Sequence, residues 1–177
     1  MENKLFSDAE VFQKERPTKC TDSQLKEFYT KMANELKSEG HSDSPINLIA
    51  HDLENLFPFI GNGYEMAKEL EGYSAKASYD LGTSLCEFLD RLEIEYNEIL
   101  EDNVKTWVKA HNPKPMFKKG DKLLVVESID WVAKSGEFIY VNGDKESVAN
   151  YLVHQDKERN GGYVIAYEKI ESKCKPA

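Results

Sequence analysis

The stretch Ala110-His111-Asn112-Pro113-Lys114-Pro115-Met116 divides this chain into two parts with different grammar. Two prolines within three residues cannot continue a helix and hold the backbone extended. Upstream, apolar residues recur at helical spacing; downstream, short β-branched and aromatic runs are punctuated by glycine. Charge changes at the same place. Residues 1–112 carry 12 Lys/Arg against 22 Asp/Glu, a net of −10, while residues 113–177 carry 11 against 10, a net of +1. The expected class is α+β: an acidic bundle of about four helices over 21–112, then a small β-barrel over 116–172. Residues 113–115 form the joint, 1–20 an N-terminal arm and 173–177 a tail.

The helical signals are local. Thr21-x-x-Gln24 is a capping-box start, and Leu25, Phe28, Met32 and Leu36 follow on one stripe up to Gly40, which predicts a helix over 22–39. Ser44-Pro45 pairs a cap with a first-turn proline, and Ile46, Ile49, Leu53, Leu56 and Phe57 predict a second helix, stopped by Pro58 and Gly61-Asn62-Gly63. A third runs over Tyr64–Glu71. Ser84-x-x-Glu87 is a second capping box. Leu85, Phe88, Leu92, Tyr96, Ile99 and Trp107 then share a stripe, predicting a long helix over 85–110 with Trp107 buried in the bundle.

After the joint, Lys122–Ile129, Glu137–Val141, Val148–His154 and Tyr163–Tyr167 read as strands, with Glu168–Glu171 as a closing one. Asn142-Gly143 and Asn160-Gly161-Gly162 read as turns. Strand parity puts Phe138 and Tyr140 on one face, with Ile139 and Val141 on the other. Trp131, Phe138, Tyr140, Tyr151, Tyr163 and Tyr167 are expected to divide between core and surface, most of them core in so small a barrel, and an exposed Tyr/Trp cluster would make a peptide groove. Phe117-Lys118-Lys119-Gly120-Asp121 before the first strand resembles the entry of many small SH3-like barrels. Gly162-Tyr163-Val164-Ile165-Ala166-Tyr167-Glu168-Lys169-Ile170 resembles their closing segment. The resemblance implies a barrel fold for about a third of the chain. No Ala-Leu-Tyr-Asp-Tyr-like segment opens the barrel, so it does not imply polyproline recognition.

Several chemistries lack their residues. No phosphate-binding Gly-rich loop, His-Glu-x-x-His or CxxC occurs in the sequence. His51-x-x-Glu54 is in the reverse order for a carboxylate–histidine metal motif and is unrepeated. No cofactor, metal or catalytic residue is therefore expected. The acidic surface repels polyanions, and the second half has no basic excess, so no direct nucleic-acid binding is expected. Cys20, Cys86 and Cys174 are odd in number and far apart, which fits a reducing compartment. With no apolar leader and no membrane-length run, a cytoplasmic location away from membranes is expected.

The candidate surface lies on the long helix. Glu87, Asp90, Glu98 and Glu101 fall opposite the apolar stripe, and Ile94, about 180° from Leu85, sits among them. An apolar centre within a charged rim is interface anatomy. The expected function is a non-catalytic protein-binding protein: an adaptor, inhibitor or assembly component with the look of phage and mobile-element accessory proteins. Its partner would be a protein, with self-association through this face as an option. Two alternatives stand beside it. One is an inhibitor whose carboxylates imitate nucleic acid. The other is an enzyme or small-ligand binder with a site between helices, lined by Tyr64, Tyr73 and Tyr79.

Overall fold

The computed structural model describes residues 15–56, 62–72, 75–155 and 162–177. The arm through residue 14, Phe57, Pro58 and Gly61 of the second helix stop, Tyr73 and the Asn160-Gly161 turn lie outside the described residues. The described residues contain helices α1 (Asp22–Ser38), α2 (Ile46–Leu56), α3 (Gly63–Gly72), α4 (Thr83–His111) and α5 (Tyr167–Lys173). Strands are β1 (Lys122–Val125), β2 (Phe138–Lys145), β3 (Asn150–His154), β4 (Tyr163–Ala166) and β5 (Cys174–Pro176). Pro17–Glu101 belong to one compact unit, and Glu15, Arg16 and Asp102–Ala177 to a second. The change from one unit to the other falls inside α4, between Glu101 and Asp102.

In the first unit, local chemistry sets the helix ends. Thr21 Oγ1 accepts from Gln24 N at 3.3 Å and Gln24 Oε1 from Thr21 N at 2.8 Å, the reciprocal capping box expected for α1. Gly40, at φ +82°, turns the chain off its far end, a conformation that costs glycine little. The second box is not used. Leu85 and Cys86 both donate to Gly82 O, so Gly82 takes the capping place and α4 starts at Thr83. Phe28, Met32, Leu36, Ile49, Leu53, Leu85, Phe88 and Leu92 fill the core of this unit.

Trp107 corrects the expected stripe. At 29 residues, α4 is roughly 43 Å long, and its apolar seam changes clients along the way. Tyr96 and Ile99 pack on the helical core, whereas Trp107 and Val108, half-buried, pack on the core of the second unit. The Trp107 ring stacks on His111 at 5.2 Å. Trp107→Ala should therefore weaken the β unit, by ~2 kcal/mol given half burial of a residue whose full truncation costs 3–5. Amide exchange would show it, as faster exchange in β1 and β2 with Phe88 and Leu92 unchanged. Faster exchange in α4's first turns alone would return Trp107 to the helical core.

The second unit holds an antiparallel sheet of five strands in the order β4-β3-β2-β1-β5. It is open, with β4 and β5 as edges, and not the closed barrel expected. Three differences from the sequence reading explain its shape. Glu168–Glu171 is not a strand but part of α5, which buries Tyr167 and Ile170 at helical spacing. Cys174–Pro176, assigned to a tail, forms β5 on β1, pairing Leu124 with Lys175. Asn142-Gly143 is not a hairpin turn. β2 runs through it with a bulge between Val141 and Gly143 and pairs β3 as far as Lys145–Asn150.

The parity rule holds. Ile139 and Val141 are buried with Leu123, Val125, Tyr151, Val153 and Ile165, while Phe138 and Tyr140 face away. Tyr151 and Tyr167 are core, their rings 4.5 Å apart, and their hydroxyls reach Glu171 at 2.6 Å and Asp144 at 2.8 Å. Phe138 and Trp131 fall at the surface, 42% and 79% exposed, and Tyr140 is half-buried on the outer face.

Candidate functional site

The long helix presents its predicted surface as a stripe. Positions 87, 90, 94, 98 and 101 advance by three or four residues, so they stack along one face of α4. All five are exposed, Ile94 by 59%. Its helical neighbours one turn away are Asp90, Arg91, Asn97 and Glu98. Beside the stripe, Arg91 pairs with Glu39 at 2.8 Å and lies over the Phe88 ring at 4.7 Å, and Glu95 accepts from Lys31. These contacts tie α4 to α1 and leave Ile94 facing outward.

One member of the expected rim has another task. Asp90 Oδ1 accepts from Gly63 N at 2.6 Å, satisfying a first-turn N–H of α3 and placing negative charge at that helix's positive end. Asp90 is thus a capping residue for α3 as well as an exposed acid. Sequence reasoning missed this because its partner stands 27 positions away.

The charge spacing discriminates between two of the expected readings. Glu87 to Glu101 spans 14 residue steps, about 21 Å along the helix, for four carboxylates. That is one charge per ~5–7 Å, against about 3.4 Å for one DNA strand. With Asp90 already engaged by a backbone N–H, the row is a sparse imitation of a phosphate backbone.

Other side chains fall as follows. Tyr64, 64% exposed, lines an open cavity of about 470 Å³ with Leu81, Thr83 and Cys86. Tyr79 does not share that wall. Its hydroxyl donates to buried Asp52 at 3.0 Å, and burial, then the nearby carboxylate, raises its pKa. The tyrosine-lined site between helices is therefore not assembled from these two. Among the described residues no group of three or more His, Cys, Asp or Glu could hold a metal ion, and no helix is long and apolar enough to cross a membrane.

In the β unit, Trp131 stands on a pinned turn that sequence reasoning did not single out as exposed. Ile129 N donates to Ala133 O at 2.8 Å, Asp130 adopts φ +36°, and its carboxylate pairs with Lys169. The Trp131 ring meets Tyr163 edge to face at 4.9 Å. No protein-family model matches the chain, and no curated protein or solved structure does.

Proposed function

We propose that this chain is a non-catalytic protein-binding protein, an adaptor, inhibitor or assembly component. Its acidic helical unit docks a partner through the outer stripe of α4. The single observation that carries the reading is Ile94, an apolar side chain 59% exposed at the centre of a charged helical face that no described segment covers. In such an arrangement the desolvated centre supplies affinity and the charged rim tunes encounter. The complementary partner surface is an apolar pocket ringed by Lys or Arg. A cytosolic setting is part of the proposal, supported by three cysteines that stand as free thiols, two of them buried. The β unit is read as a module of the SH3-like kind, supported by the β1–β4 meander and the return of β5 beside β1.

The test is a partner captured with the full chain, then titrated against variants. Ile94→Asp should weaken binding by about ten-fold or more, the size of a central interface contact, while the thermal melt stays unchanged. Glu87→Lys with Glu98→Lys and Glu101→Lys should chiefly slow association and flatten its salt dependence. Asp90 is left intact because it caps α3. Loss of affinity on charge reversal with Ile94→Asp silent would instead favour nucleic-acid mimicry. Indifference to both sets would remove this face from the reading.

A further inference from the structure

The sheet sorts its charge. Residues that alternate with the buried set form the outer face, and the three lysines of the five strands, Lys122, Lys145 and Lys175, all fall on it. The register shows this directly: Lys122 pairs Tyr140, Lys175 pairs Leu124, which pairs Phe138, and Lys145 pairs Asn150. The strands contain one carboxylate residue, Asp144, and it lies on the opposite face, where Tyr167 OH donates to it at 2.8 Å. The outer face therefore carries three cations and no anion contributed by its strands. Its two aromatics, Phe138 and Tyr140, stand on the same strand. Two steps at ~3.3 Å put their roots about 6.6 Å apart.

The geometry points to this face as a binding surface for single-stranded nucleic acid, a function beyond protein docking by α4 and independent of it. Charge complementarity selects the occupant class, since lysines with no carboxylate among them favour a polyanion. The rings, Phe138 exposed and Tyr140 half-buried beside it, narrow it, because they offer flat platforms that unpaired bases can stack on and a duplex cannot. Lys122 links the two features. Its ammonium lies over the Phe138 ring at 3.9 Å and within 6.0 Å of the Tyr140 ring. The flexible lysine stem lets that cation swing to a phosphate and uncover the ring in the same movement. The net of +1 for residues 113–177 conceals this sorting.

The experiment uses the full chain and a fluorescein-labelled oligothymidylate of about twelve nucleotides, followed by anisotropy between roughly 50 and 200 mM salt. Saturable binding is expected, weaker for a duplex of the same length. Phe138→Ala and Tyr140→Ala should each weaken it about five-fold or more. Phe138→Leu, which keeps apolar bulk but removes the π face, should weaken it comparably and guards against a folding artefact. Lys122→Gln with Lys175→Gln should reduce the log–log salt slope by about 1.4. The assignment is overturned if nothing saturates up to about 100 μM, the weak end of non-specific binding. It is also overturned if the aromatic variants bind like the parent. A labelled polyglutamate peptide binding as tightly as the oligonucleotide would give the face to an acidic protein segment and overturn it too.

Discussion

Gly63→Ala is expected to destabilise the helical unit by at least the upper end of the roughly 1–3 kcal/mol that overpacking costs. A Cβ at Gly63 would lie 1.9 Å from the Cys86 carbonyl oxygen and 2.8 Å from its carbonyl carbon. Both are backbone atoms of α4, so no side-chain rotation relieves the clash. α3 would have to back away, and Gly63 N would then lose Asp90. Gly72→Ala is the control, at the other end of the same helix, where an added Cβ meets nothing within 4 Å. Urea denaturation should show a large fall in midpoint for Gly63→Ala and no loss for Gly72→Ala. Equal midpoints for the two variants would mean that α3 does not approach Cys86 so closely.

Asp52→Ala should cost roughly 3–5 kcal/mol, the cost of removing one partner from a buried charged hydrogen-bonded group, with each bond to the charged acceptor worth about 1.5–3 kcal/mol and their losses not additive. Asp52 is fully buried on α2, and its carboxylate gathers the segment before α4. Lys76 N reaches both oxygens at 2.9 Å, Ala77 N reaches Oδ2 at 2.9 Å, and Tyr79 OH reaches Oδ2 at 3.0 Å. Truncation leaves these donors without their acceptor. Tyr79→Phe removes only one of these bonds and should cost about 1.5–3 kcal/mol. Native-state amide exchange gives the signature: Lys76 and Ala77 should lose protection in Asp52→Ala and largely keep it in Tyr79→Phe. Retained protection in Asp52→Ala would show that the segment is held by packing alone.

The candidate surfaces were unequally legible. Ile94 was readable because 3.6-residue periodicity alone places it opposite Leu85. Asp90's second role was not, since capping α3 requires Gly63 to arrive from outside its own helix. Phe138 and Tyr140 were readable as sharing a face, but which face would be bare depended on what packed beneath the sheet. Asn142-Gly143 carries a strong turn signal, yet pairing of Gly143 with Leu152 and Asp144 with Tyr151 absorbs it as a bulge. Glu168–Glu171 is too short for its period to separate strand from helix. Burial of Tyr167 and Ile170 decides for α5.

By itself the sequence determined the order of the two classes, the starts of α1 through α3 to within a residue or two, and the place of Ile94 opposite Leu85 on its helix. These depend on caps, prolines and periodicities that act within a few positions. Tertiary structure decided that Trp107 serves the β core, that Cys174–Pro176 joins β1, that the sheet stays open and that its lysines collect on one face. Each of those is a pairing between residues far apart in the chain. The side chains involved have comparable affinity for several partners, and only the full set of contacts selects one.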